Sequence, residues 1–211
     1  MTGAALSAVL LRSRSASCTG TGEPFLSPAR TISTVILAGL VGWGAHAIND
    51  ASEKDARQTA AAKRPVNGEK SWDAGKLGRN HVEAAFTCPM NPPVGGDHHQ
   101  AWMTCEGTVC TKAVPDENAV RWLEHGAVWV TYNDTAVDAD VEQLAGRVSK
   151  TPYTLMSPNP DQSGPIMLSV WGHQLGVDTV ADPRIDQFII KYVQAVQTPE
   201  PGAACSGGPT V

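Results

Sequence analysis

Two histidines, a methionine and a cysteine lie close together in the segment GGDHHQAWMTC, residues 95–105. Imidazole and thioether groups are ligands that suit copper, and imidazole together with carboxylate also suits zinc. His98, His99 and Met103 are therefore candidate metal ligands. Because adjacent histidines seldom bind one ion together, we expect one of the pair to point inward and the other to be solvated.

A glutamate and a histidine follow at the end of a predicted helix in the run VPDENAVRWLEHG. Asp116 can cap the start of this helix, and Gly126 ends it. Glu124 and His125 then lie at the helix C-terminus, where the helix dipole favours a protonated imidazole. If the loop of His98 folds back over this end, the residues complete a copper or zinc site. The competing interpretation is a histidine and glutamate cluster that only stabilises the loop.

The elements that must position these residues are short strands and helices. The runs at 127–132, 153–157 and 166–172 have the β-branched and aromatic content of strands. Apolar residues at helical spacing predict helices over 138–148 and 182–196, the second capped by its first residue, an aspartate. Strands and helices mix without a regular βαβ repeat, which predicts the α+β class, a small mixed sheet with packed helices.

Charge and motifs exclude several classes of protein. The net charge is -5 and no basic stretch is present, so the chain lacks the surface that a nucleic-acid binder needs. Gly-x-Ser-x-Gly, His-Glu-x-x-His and Cys-x-x-Cys are all absent from the sequence. Hydrolase, zinc protease and thiol oxidoreductase activities therefore lack their signatures, and an enzyme ranks behind a metal-binding protein and a binding module for an envelope partner.

One apolar stretch, TISTVILAGLVGWGAHAI, is a candidate membrane segment. We interpret it as a single-pass anchor; the alternative is a cleaved secretory signal, because Ala45 and Ala47 fit the small-residue pattern of a cleavage site. The predicted parts are a cytoplasmic stub (1–31), a transmembrane helix or signal segment (32–48), a polar linker (49–70) and an extracytoplasmic α+β domain (71–211).

The distribution of the cysteines supplies an orientation. Cys18 precedes the apolar stretch, whereas Cys88, Cys105, Cys110 and Cys205 follow it. An even number after the stretch is typical of an exported domain, since disulfides persist outside the reducing compartment. Four cysteines allow three pairings, and the residues alone do not choose among them. In that setting Cys105 is better interpreted as a disulfide partner than as a metal ligand.

Four long motifs resemble a bacterial family common in actinobacteria, the domain of unknown function 3105. They are, in order, NPPVGGDHHQAW, VPDENAVRWLEHGAVWVTY, SVWGHQL and QTPEPGAACSGG, and the resemblance covers residues 68–208. It implies a membrane-anchored extracytoplasmic domain without an assigned activity, and thus a cell-membrane localisation. The resemblance also implies a Cys105–Cys205 disulfide, which leaves Cys88 to pair with Cys110.

Overall fold

The described part of the chain is most of the sequence from residue 63 onward, with a few short pieces before it. The computed structural model describes residues 18–19, 52–53, 56–57, 59–61, 63–83, 88–101 and 104–206. The predicted membrane segment 32–48 and the candidate ligand Met103 lie outside the described residues. Among the residues that are described, none belongs to a helix with the length and apolar character that crossing a bilayer requires.

One mixed β-sheet forms the centre of the fold. Its strands are β1 (Cys18–Thr19), β2 (Lys70–Ser71), β3 (Glu106–Cys110), β4 (Val128–Tyr132), β5 (Thr154–Pro158), β6 (Ile166–Val170) and β7 (His173–Val177). Within the described residues these seven strands have the order β1-β3-β5-β4-β6-β7-β2. β5 is parallel to both of its neighbours, and the other pairs are antiparallel.

Helices cover both faces of the sheet. They are α1 (Asp116–Glu124), α2 (Asp138–Val148) and α3 (Arg184–Tyr192). Alternate residues of a strand point to opposite faces, so Val128 and Val130 pack with the apolar sides of α2 and α3. Trp129, between them, packs on the other face with Trp122 of α1 and with Trp171. These tryptophans are all at most 1% exposed, so large rings fill this part of the core.

The predicted α+β class and its mixed sheet are confirmed. The helix predicted over 138–148 is α2 with the same bounds, and the three predicted strands correspond to β4, β5 and β6. The predicted cap of α1 is wrong, because Asp116 is the first helical residue and its side chain makes no capping hydrogen bond. Pro115 takes the cap position with an extended backbone, and its carbonyl accepts hydrogen bonds from Asn118 N and Ala119 N.

Candidate functional site

The loop before β3 carries His98 into the interior. His98 forms an isolated parallel bridge with His81: its N donates to Asn80 O at 3.0 Å and its O accepts from Val82 N at 2.8 Å. Gly95 makes the turn that precedes it with a φ of +141°. A Cβ at Gly95 would lie 2.8 Å from Leu77 Cδ1, so the close approach and the backbone conformation both require glycine.

The His98 ring is fully buried, and each of its nitrogens faces an oxygen. Nε2 lies 2.9 Å from Glu124 Oε2, and Nδ1 lies 3.0 Å from the carbonyl oxygen of Gly96. Burial alone would lower the pKa of His98, but the hydrogen bonds to Glu124 and Gly96 and the carboxylate charge outweigh it and raise the pKa. The geometry therefore favours a protonated imidazole that donates from both nitrogens.

Glu124 accepts from two cationic groups at once. Arg121, one helical turn earlier on α1, donates from NH1 to the same Oε2 that faces His98. Burial would raise the pKa of Glu124, but the hydrogen bonds and charges of His98 and Arg121 lower it. The carboxylate is thus held ionised although its side chain is only 5% exposed.

His125, the next residue, faces the C-terminal segment, which we define as residues 194–205. Its Nδ1 donates to Ala204 O at 3.0 Å, and its Nε2 lies 3.5 Å from Glu200 Oε2. The expectation that the helix dipole keeps His125 protonated is wrong. Burial, followed by the nearby charge of Arg121, lowers the pKa of His125 and outweighs the attraction of Glu200.

The C-terminal segment lies along the end of α1 and the start of β4. Glu200 N donates to Glu124 O at 3.0 Å, and Gln194 N donates to Gly126 O at 2.8 Å. Tyr153 contributes a further hydrogen bond from its hydroxyl to Ala203 O at 2.9 Å. These bonds hold the segment against the same helix end that carries Glu124 and His125.

A disulfide joins this segment to the start of β3. Cys105 and Cys205 are bonded, with a Cα–Cα distance of 5.1 Å, so the pairing that the family resemblance implied is confirmed. The second implied pairing, Cys88 with Cys110, is wrong because Cys88 is a free thiol and Cys110 is disulfide-bonded. Cys110 lies on β3 directly opposite Cys18 of β1, whereas the sulfur of Cys88 lies in a loop against a methionine.

The predicted metal ligands are brought together only in part. His98 and Glu124 are in contact, and His125 is the C-cap residue that follows α1. His99 is half-buried, and its Nδ1 accepts from Ala101 N at 3.0 Å. Among the described residues there is no group of three or more histidine, cysteine, aspartate or glutamate side chains that could hold a metal ion. The guanidinium of Arg121 contacts the carboxylate of Glu124. A metal site would need an open coordination position there.

Three contributors to the cluster were not among the predicted site residues. Arg121 precedes Glu124 by three residues on α1, and this helical spacing is a signal that can reveal the pair. Glu200 Oε2 lies 3.7 Å from Arg121 NH1. This contact forms because the C-terminal segment folds back, and no local sequence pattern indicates it. The exposed ring of His81 lies edge-on to the ring of His98, and the ring centroids are 5.3 Å apart. The isolated β-bridge between the backbones of these two residues brings the rings together.

Comparison with known proteins identifies a family and nothing closer. The family model described as "Protein of unknown function (DUF3105)" matches residues 81–207, which include the His98 loop, α1 and the C-terminal segment. No curated protein and no solved structure matches the chain.

Proposed function

Because the chain belongs to the DUF3105 family of proteins of unknown function, its role must be argued from its own site, and we propose a cell-envelope interaction module. In this proposal the cluster of His98, Arg121, Glu124 and Glu200 is structural. It holds the loop and the C-terminal segment in one conformation so that they can present a surface to a protein partner.

The observation that carries the proposal is the engagement of both His98 nitrogens. A histidine ligand must offer a lone pair on one nitrogen, so it binds metal in the neutral form. Here Nε2 is directed at Glu124 and Nδ1 at the Gly96 carbonyl, and both contacts require N–H donors when His98 is protonated. Copper or zinc would have to displace a proton, break the contact with Glu124 and approach the charge of Arg121.

The charges of the cluster also balance. Arg121 and protonated His98 supply two positive charges, while Glu124 and Glu200 supply two negative charges. A buried ionic group is tolerated when it is paired and hydrogen-bonded, and such networks can favour one arrangement over alternatives. Three segments that are distant along the chain meet here, which supports a role in ordering the surface around the cluster.

The C-terminal segment is the part of that surface we assign to the partner. The disulfide holds this segment at Cys205, and the hydrogen bond to Gly126 holds it at Gln194. Between these two residues the segment presents Val196, which is 95% exposed. A segment that is already ordered loses little conformational entropy when it binds, and this favours affinity.

The proposed location of the described domain is outside the cytoplasm. Support comes from the disulfides at Cys105 and Cys110, because such bonds persist in oxidising compartments and are rare in the cytosol. A partner in the same compartment would be a protein of the cell envelope.

Photo-crosslinking in the native membrane tests the proposal. We expect a photoreactive amino acid at Val196 in the full-length protein to yield a discrete crosslinked species. The matched control is the same amino acid at Val137, which is 60% exposed but lies before α2 and outside the cluster. Equal crosslinking from both positions, or none from Val196, would contradict the assigned surface.

Elemental analysis of the same purified protein tests the structural role of the cluster. We expect no stoichiometric copper or zinc that depends on His98, and we expect His98→Gln to lower the melting temperature. One equivalent of either metal that is lost in His98→Gln would overturn the structural interpretation and restore the metal site. Turnover of a substrate that His98→Gln abolishes without loss of stability would instead indicate an enzyme.

A further inference from the structure

The free thiol of Cys88 lies beside a second sulfur atom. Cys88 Sγ lies in contact with Met90 Sδ, 2.8 Å away. Cys105, Cys110 and Cys205 are disulfide-bonded, whereas Cys88 remains a thiol. The loop thus directs two soft donor atoms, one thiol and one thioether, to the same point.

The backbone around this point is arranged to stabilise a thiolate. The N–H groups of Met90 and Val94 both hydrogen-bond to the Cys88 sulfur, and such bonds favour its deprotonated form.

An open cavity of about 360 Å³ is lined by both Cys88 and Met90. Its wall also includes Lys76, Leu77, Asp97 and three glycines, Gly78, Gly95 and Gly96. Glycines line much of this wall, so no bulky side chain at those positions separates the sulfurs from an ion that enters through the cavity.

We propose that Cys88 and Met90 form a binding site for a soft monovalent metal ion, of the copper(I) or silver(I) class. Thiolate and thioether ligands select such ions, whereas a closed zinc site needs four ligands, typically thiolate, imidazole or carboxylate. This site is separate from the His98 cluster, and its existence does not depend on the proposed interaction function.

Binding requires one proton transfer and no change of oxidation state. The Cys88 thiol releases its proton to solvent, and the resulting thiolate forms a bond to the metal ion. Met90 Sδ donates a lone pair to the same ion. The two sulfur atoms must separate as the ion enters between them, and the unbranched side chain of Met90 can supply this movement by a change of rotamer.

Competition for copper(I) tests the pair in the full-length protein. With ascorbate as reductant and bicinchoninate as the coloured competitor, we expect the protein to remove one equivalent of copper(I). Cys88→Ser should abolish this binding, and Met90→Leu should weaken it by roughly tenfold or more. The controls Met167→Leu, a thioether on β6, and His99→Gln, in the same loop as His98, should bind as the native protein does.

A second measurement needs no substitution. One equivalent of silver(I) should slow alkylation of Cys88 by a maleimide, as measured on its peptide by mass spectrometry. The proposal is overturned if copper(I) is not bound, if Cys88→Ser or Met90→Leu binds as tightly as the native protein, or if the controls lose binding equally. Alkylation of Cys88 that silver(I) does not slow would also overturn it.

Discussion

His98 and Glu124 meet Nε2 to Oε2 at 2.9 Å in the interior, where their side chains are 0% and 5% exposed. The contact joins a loop to the end of a helix, and Arg121 reaches the same carboxylate oxygen from one turn earlier. A protonated histidine next to an ionised glutamate makes the stability of the fold depend on pH, with a direction that each pKa shift determines.

We predict that His98→Gln destabilises the protein most at mildly acidic pH. Because the pKa of His98 is raised by folding, its stabilisation is complete below the ordinary value of 6.5 and is lost as pH rises through the folded pKa. The expected loss at pH 5.5 is about 1.5–3 kcal/mol, the range for a hydrogen bond to a charged group. Urea denaturation between about pH 5.5 and 8.5 measures it.

The control for this pH series is Gln100→Ala, at an exposed position of the same loop with a side chain that does not titrate. The free-energy difference between the native protein and this variant should change little over the same range. A His98→Gln effect that is constant, or that grows with pH, would contradict the assigned protonation state.

Replacement of His125 should give the opposite slope. Folding lowers the pKa of His125, so protonation of the unfolded chain destabilises the native protein as pH falls below 6.5. His125→Gln removes this penalty, and its destabilising effect should therefore shrink toward acidic pH. The same urea series measures the difference, and parallel slopes for the His98 and His125 variants would show that one assignment is wrong.

Glu124→Gln should be among the most destabilising single substitutions. It leaves Arg121 and His98 close together without the carboxylate that separates their charges, and loss of one partner of a buried ion pair costs about 3–5 kcal/mol. The control is Glu142→Gln, an exposed glutamate on α2, for which about 0.5 kcal/mol or less is expected. Thermal unfolding of both variants provides the comparison, and similar melting temperatures would remove the case for a stabilising cluster.

Removal of the Cys105–Cys205 disulfide should loosen the C-terminal segment before it disturbs the sheet. The bond spans 100 residues, for which loop-closure entropy gives about 4–5 kcal/mol. In the variant with both cysteines changed to serine, the amides of Gln194 and Glu200 should exchange hydrogen faster, while those of β6 remain protected. Cys88→Ser is the matched control, since it removes a thiol and no disulfide; unchanged exchange in the double variant would contradict the prediction.

Peptide mapping of the non-reduced protein should join the Cys110 peptide to that of Cys18. The two residues are opposite each other in the β1–β3 ladder, and Cys110 is disulfide-bonded. If Cys18 pairs with Cys110, residues 1–31 cannot be a cytoplasmic stub before a transmembrane span at 32–48, because the strands of one sheet lie on the same side of a membrane. A Cys110 peptide joined to Cys88 would contradict the β1 pairing, and labelling of Cys18 by an impermeant reagent after reduction of intact cells would contradict the predicted stub.

The sequence predicted those parts of the fold that have a strong local pattern. Helix α2 has apolar residues at regular spacing, and β4 has consecutive β-branched and aromatic residues, so both were found with close bounds. Strands β3 and β7 were missed because each contains a glycine and polar residues, and their pairing with distant strands supplies what local propensity lacks.

The candidate site was likewise predicted only where residue type and local structure indicate it. His98 and Glu124 could be selected by residue type and by the helix end, and they do meet. The protonation of His125 was mispredicted, because burial and the charge of Arg121 depend on tertiary structure that the helix dipole argument ignores. Glu200 contributes through the return of the C-terminal segment, which only the folded chain reveals.

The position of Cys205 also determines when the disulfide can close. A nascent chain emerges from its N-terminal end, so Cys88, Cys105 and Cys110 are all available as thiols before Cys205 has been synthesised. An oxidase that acts during this interval can join them in non-native pairs, and such pairs rearrange only slowly without a catalyst. The maturation of this protein in a cell should therefore depend on a disulfide isomerase more strongly than the number of its disulfides alone would suggest.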